Sequence, residues 1–253
     1  MTPNPYLIIR APSGLSGDML VTGLARAGRF PAARVDAMIA AIGVKDLRKK
    51  ISFKKVSVGG ISGWRAEVRI PHSHEHRSAA VILRTIQKSR MTKCAKALAV
   101  RAFKLLGDAE GAIHGIDPRK VEFHEIGGLD SILDVCLAAA MFDRLGCPKL
   151  YCSPLPLCDG KIRCAHGALS SPAPATLLLL KQVPVYGIDS EGETVTPTAI
   201  AVLKAFGAEF GRWPAVKILD SVRVFGGRIL PNVPNGAAFV LGEPLSKKTL
   251  KGL

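Results

Sequence analysis

Apolar positions along this chain switch between a period of two and a period near 3.6, and each switch predicts where a strand gives way to a helix. Tyr6 to Ile9 form a short apolar run that ends in the Ser/Gly-rich turn Ser13 to Gly17. Met19, Leu20, Leu24 and Ala25 then recur at helical spacing, so a strand, a loop and a helix are expected in that order. Pro31 suits the first turn of a second helix running to about Ile42, with Gly43 closing it. Ser52 to Val58 and Trp64 to Ile70 alternate apolar with polar residues on either side of Gly59 to Gly63, which predicts a hairpin with an enlarged turn, ending at Pro71.

After a histidine-bearing loop, helices are expected from about Ser78 to Gln87 and from Thr92 to Ile113. The longer one places Ala95, Leu98, Ala99, Ala102, Leu106, Ala109 and Ile113 on one stripe. Asp130 to Leu145 reads as a strongly apolar helix, Lys149 to Ser153 as a short strand, and Pro154 to Ser171 as a long loop rich in turn residues. Pro172 to Leu180 and Thr196 to Phe206 look helical, and Val216 to Phe225 and Ala237 to Leu241 look like strands. The pattern is that of an α/β or α+β protein, with helices packed on a mixed sheet. No repeat or linker divides it. Residues 1–253 are read as one domain, within which 1–71 form a small α/β part, 72–77 the histidine loop and 78–253 the main α/β part.

Composition supports this picture. A chain of 253 residues with 48% hydrophobic content can bury a full core, and 6% aromatic content makes that core aliphatic. Met1 to Pro5 carry no basic flank or long apolar run, and Leu177 to Leu180 are too few to cross a bilayer, so a cytoplasmic protein with no membrane partner is expected. Cys94, Cys136, Cys147, Cys152, Cys158 and Cys164 show no CxxC spacing and are expected to be reduced thiols. The net charge of +15 attracts phosphate-bearing ligands and acidic partners. Its cations are dispersed without stacking aromatics between them, which argues for a solvated surface over a nucleic-acid groove.

Candidate chemistry gathers in five places. His72, His74 and His76 can converge on one borderline metal ion, with Glu75 as an oxygen donor; the alternative is a solvated loop. Glu110 and His114 share a face at the end of the long helix, His124 and Glu125 follow a short loop, and Asp130 and Asp134 share a face of the next helix. This set suits a divalent cation, whereas singly Asp130 caps its helix, Asp134 meets solvent and His124 belongs to the core. The segment Ser13 to Met19 joins a strand to a helix start, where backbone amides suit an anion, although it lacks the lysine of a Walker loop and does not match GxGxxG. There Ser13 or Ser16 caps the helix or contacts a ligand, and Asp18 is placed to meet a cation. Thr196 and Thr198 stand at a turn into a helix and either hold phosphate or cap it. Cys158, Cys164 and His166 offer soft ligands or a nucleophile in the long loop, but at no spacing typical of structural zinc.

Taken together, these segments resemble the nickel-insertion (LarC) protein family. The matching motifs are SGLSGDM at Ser13 to Met19, GGISG at Gly59 to Gly63, the histidine loop, AEGAIHG at Ala109 to Gly115, FHEIGGLDSILD at Phe123 to Asp134, CSPLPL at Cys152 to Leu157, CAHGALSSPAPAT at Cys164 to Thr176, and TPT at Thr196 to Thr198. The resemblance implies nickel insertion into the pyridinium bisthiocarboxylic acid mononucleotide cofactor of lactate racemase, a cytidine-triphosphate-dependent cyclometallation and hence a lyase activity. It makes the histidine loop a nickel reservoir and the Glu110, His114, His124, Glu125, Asp130 and Asp134 set a site for metal or cofactor precursor. This chain has Arg10 where the family usually has Asp, Glu122 where it usually has His, and three histidines where the run is typically longer. Family members continue into a C-terminal region that binds cytidine triphosphate, so that nucleotide, with magnesium or manganese, is expected only with such a region or a separate partner polypeptide. Two other readings stay open: a divalent-metal-dependent domain that processes phosphate or nucleotides, and a basic module that binds nucleic acid or an acidic protein.

Overall fold

The computed structural model describes residues 5–70, 77–123, 128–164 and 167–246. In chain order its elements are β1 (Tyr6–Arg10), α1 (Gly17–Ala27), α2 (Ala32–Ile42), β2 (Ile51–Val58), β3 (Ile61–Val68), β4 (Arg77–Ser78), α3 (Ala79–Lys88), α4 (Lys93–His114), β5 (Glu122–Phe123) and α5 (Leu129–Arg144). There follow β6 (Leu150–Cys152), β7 (Leu155–Leu157), β8 (Lys161–Cys164), β9 (Gly167–Ser170), α6 (Pro174–Leu179), β10 (Val185–Gly187), α7 (Pro197–Ala205), β11 (Glu209–Phe210), β12 (Val216–Val224) and β13 (Ala237–Pro244).

One seven-stranded mixed sheet runs in the order β11-β6-β1-β13-β12-β3-β2. Its middle is β13, antiparallel to β1 on one side and to β12 on the other. The sheet therefore takes β1, β2 and β3 from before the histidine loop and the remaining strands from after it. Leu7, Ile8 and Ile9 are all buried. Side chains alternate across a sheet, so Leu7 and Ile9 join the main apolar core while Ile8 and its partner Val240 stand on the other face.

Helices are layered on the core face. α1 packs on β3, β12 and β13 and also against α5, and α5 packs against α4, which in turn meets α7, α3 and α6. Its middle position explains the sequence of α5, where Ile132, Leu133, Val135, Cys136, Leu137, Ala138, Ala139 and Met141 are buried around the whole circumference. This is the mixed α/β arrangement that the hydrophobic pattern predicts. Among the described residues no helix is long and apolar enough to cross a membrane.

Several expectations need correction. The hairpin turn is tight: Val58 pairs with Ile61, leaving Gly59 and Gly60 at φ 57 and 78 as a two-residue turn. Two adjacent residues with positive φ match the twist of the flanking strands, so Ser62 and Gly63 extend the ladder and do not widen the loop. The stretch Pro154 to Ser171 contains β7, β8 and β9, strands too short to show alternation. On α4, Ala95, Ala99, Ala102, Leu106 and Ala109 are buried as expected, but Ile113 is 38% exposed because the last turn runs past the packed helices. Pro31 stands at the N-cap of α2, one residue before the expected first turn.

Gly23 decides how closely α1 approaches the sheet. A β-carbon there would lie 2.4 Å from ring atoms of Phe239, which is fully buried on β13. Alanine ordinarily stabilises a helix interior by roughly 1 kcal/mol over glycine. Here overpacking is expected to win, and Gly23→Ala should lower stability by about 1–3 kcal/mol in urea unfolding. A stabilised variant would show that the ring yields freely.

Candidate metal and anion site

The Ser13 to Asp18 loop is sewn to the segment that precedes α7. Leu15 N donates to Thr194 O at 2.9 Å and Thr196 N donates to Leu15 O at 3.1 Å, a short parallel bridge between Leu15 and Val195. Gly14, at φ +104, makes this approach possible, since a β-carbon would lie 1.8 Å from the Thr194 carbonyl oxygen. The suture sets the starts of α1 and α7 side by side. Thr196 caps α7, its hydroxyl oxygen accepting from Ala199 N at 3.3 Å, while Thr198 is buried in the first turn. Ser13 Oγ donates to Gly236 O at 3.4 Å.

Ser16 is the N-cap residue of α1, yet its hydroxyl makes no capping bond and donates to the carboxylate of Asp18. That carboxylate also accepts from its own backbone amide and from that of Met19. Asp18 thus occupies the place that an external anion would take at this helix start, and the loop presents a carboxylate to the cavity beside it. Burial nevertheless raises its pKa above the ordinary carboxylate value.

Asp134 lies against the same turn. A β-carbon on Gly17 would come within 2.3 Å of its Oδ2, so α1 and α5 meet through a glycine and a carboxylate. Burial, then the charge of Asp18, then that of Asp130 push the Asp134 carboxyl well above its usual range. Asp130 is exposed in the first turn of α5 and accepts from Ser131 N at 2.8 Å. Glu110 and His114 approach each other to 3.4 Å on the last turns of α4. Among the described residues, these predicted ligands form a carboxylate group at α1 and α5 and a separate Glu–His pair.

His72, His74, His76, His124 and Glu125 lie outside the described residues. Their chain neighbours do not: Arg77 pairs with Phe123 and Ser78 with Glu122 in the antiparallel β4–β5 ladder, so the chain neighbours of His76 and of His124 stand opposite each other. Arg10 closes the end of β1 by donating to Gly211 O at 2.9 Å and lying over Trp213.

A cavity of about 400 Å³ opens beside the loop, lined on one wall by Ser13, Ser16, Asp18 and Thr196. The family described as "Nickel insertion protein" matches residues 7–251. The chain belongs to the nickel insertion protein family. A nickel insertion protein of Geotalea uraniireducens (strain Rf4) is 37% identical over 231 residues, covering 91% of this chain and 59% of the relative. The "pyridinium-3,5-bisthiocarboxylic acid mononucleotide nickel insertion protein" of Desulfitobacterium hafniense (strain DSM 10664 / DCB-2) is 37% identical over 232 residues, 91% of this chain and 56% of that protein. Its namesake in Geobacillus kaustophilus (strain HTA426) is 35% identical over 241 residues, 91% and 58%. The chain therefore spans less than three-fifths of the length of these relatives. No solved structure matches it.

The cavity lining also includes residues that no sequence motif marked for chemistry. Phe225, Gly226, Gly227 and Arg228 leave β12, and Asn235 and Gly236 lead into β13. Asn235 ties that connection together, accepting from Leu230 N at 2.9 Å and donating to Leu230 O at 2.7 Å. The Gly226–Gly227 pair and the Asn–Gly step before β13 were the available signals, and Arg228 adds a cation to the rim. Cys158 is excluded as a free nucleophile: it is buried, donates to Gly192 O at 2.8 Å, and has its thiol pKa raised chiefly by burial. Cys164 contributes a β8 backbone position, and His166 lies outside the described residues.

The carboxylate pair makes stability fall with rising pH. Folding raises the Asp134 pKa above 3.8, so the folded protein keeps a proton that the unfolded chain has lost; the contribution is full below 3.8 and declines as pH climbs through the folded value. Asp134→Asn is therefore expected to raise the urea midpoint most near neutrality, with the gain vanishing near about pH 4. A pH-independent gain would show that Asp134 is not held against its neighbours in this way.

Proposed function

We propose that this chain captures nickel and takes part in inserting it into the pyridinium-3,5-bisthiocarboxylic acid mononucleotide named for its relatives in Desulfitobacterium hafniense and Geobacillus kaustophilus. The observation that carries this reading is the β4–β5 ladder, which sets Arg77 and Phe123, the chain neighbours of His76 and His124, opposite each other. His72, His74 and His76 capture the ion, because neutral imidazoles suit borderline divalent metals. His124 and Glu125 receive it. The chain runs from there within a few residues to Asp130, whose charge is felt by Asp134, as is that of Asp18 at the cavity wall. A run of imidazoles that gives way to carboxylates passes the metal from tighter to weaker donors, as a carrier that must release its cargo requires.

The mononucleotide precursor enters the cavity with its phosphate toward Arg228, which lines it together with Asp18. A net charge of +15 raises the local concentration of such an anion. Ser13, Ser16 and Thr196 add hydroxyls to the same lining. The sulfurs that finally hold nickel belong to the cofactor. Cytidine triphosphate and its magnesium or manganese ion act through the part of the relatives that this chain does not span, or through a partner polypeptide, and the completed reaction is a lyase-type cyclometallation that serves lactate racemase.

Isothermal titration with Ni²⁺ tests the capture step. Replacing His72, His74 and His76 together by alanine is expected to weaken nickel binding by about tenfold or more while circular dichroism stays unchanged. Unchanged binding would remove the loop from the mechanism. Tighter binding of Mg²⁺ or Mn²⁺ than of Ni²⁺ would instead assign the Asp18 and Asp134 carboxylates to a hard-metal phosphate site.

A further inference from the structure

Away from the cavity, the start of α4 meets the end of α5 through side chains that carry metal-ligand chemistry. Cys94 stands in the first turn of α4, and its Sγ lies 3.3 Å from that of Cys147, just beyond α5. The turn that brings Cys147 there is fixed by bonds from Gly146 N to Asp143 O at 2.9 Å and from Cys147 N to Phe142 O at 3.0 Å. Asp143 completes the group: one ligand atom from each of Cys94, Asp143 and Cys147 lies within 4.8 Å of the others. Among the described residues this is the set of three donors that meets that condition. Both cysteines are exposed and Asp143 is half-buried, so an ion has access from solvent.

The carboxylate is also oriented. Thr92, the N-cap of α4, accepts from Ala95 N at 3.1 Å and donates its hydroxyl to Asp143 Oδ2 at 2.7 Å. Ligating carboxylates at metal centres are held by outer hydrogen bonds of this kind.

We propose that Cys94, Asp143 and Cys147 form a binding site for a thiophilic divalent cation such as Zn²⁺ or Ni²⁺, with a fourth coordination position open to an exchanging ligand. Metal–sulfur bonds of about 2.3 Å in a tetrahedron place two sulfurs roughly 3.8 Å apart. The observed pair needs to open by only about half an ångström. Two thiol protons pass to solvent as the ion enters, leaving two thiolates and a carboxylate around a 2+ charge. Sulfur donors select borderline and soft ions over Mg²⁺ and Ca²⁺. The site shares no residue with the histidine segments or the cavity, so its loss and theirs are separable.

Cobalt(II), added without oxygen to the reduced, metal-free chain, is the probe. It is expected to raise a near-ultraviolet thiolate-to-metal charge-transfer band that saturates at one ion per chain, a signature that imidazoles and carboxylates do not give. Cys94→Ser and Cys147→Ser should each abolish the band, and Asp143→Asn, which keeps both thiols, should weaken the affinity by about tenfold or more. Replacing His72, His74 and His76 by alanine should leave it intact, and Zn²⁺ should bleach it by displacement. Absence of the band in the parent chain, its survival in both serine variants, or closure of the pair to a disulfide that takes up no metal under these conditions would each overturn the proposal.

Discussion

The contact between Gly14 and the Thr194 carbonyl is the constraint from which the cavity follows. Only a residue without a β-carbon admits the two backbones this closely, and only at this distance does Leu15 exchange hydrogen bonds with Thr194 and Thr196 on either side of Val195. The starts of α1 and α7 are then fixed relative to each other before any side chain acts. Because α1 also lies on β12 and β13, the same contact holds the loop against Gly236 and the connection that bears Arg228.

Within that frame the polar groups oppose one another. Asp18 uses the amides at the start of α1 for itself, and Asp134 is packed beside it against Gly17 with Asp130 close enough to be felt. Carboxylates gathered in a poorly solvated place are relieved either by a proton or by a cation. Burial and the neighbouring carboxylates favour the protonated form of Asp134, so ionising it works against the fold.

Periodicity revealed the large elements because their packing obeys it. The single stripe of α4, the all-round apolarity of α5 and the alternation in β2 are direct imprints of one-sided, complete and half burial. Short strands carried no such imprint: β7 to β9 each have only three or four residues, too few to distinguish from a loop. Ser13 to Asp18 was recognisable as a junction, but its polarity was misleading. A serine at an N-cap and a following aspartate fit an anion site as well as an internally satisfied one, and only the path of the Ser16 hydroxyl separates them. Arg228 and Asn235 were hidden because they act through a connection between strands, where neither period applies. Cys94 and Cys147 were legible only as reduced thiols without CxxC spacing, since a separation of 53 positions conceals a contact that depends on how α4 and α5 pack.

Placing β13 between β1 and β12 has a consequence for biosynthesis. The first strand of the chain has its antiparallel neighbour more than two hundred residues away, at Ala237–Pro244. A nascent polypeptide leaving the ribosome can form α1 and the β2–β3 hairpin early, but the sheet stays split until that segment emerges. During this interval β1 and β12 expose unpaired edges, which makes the incomplete chain a natural client for chaperones.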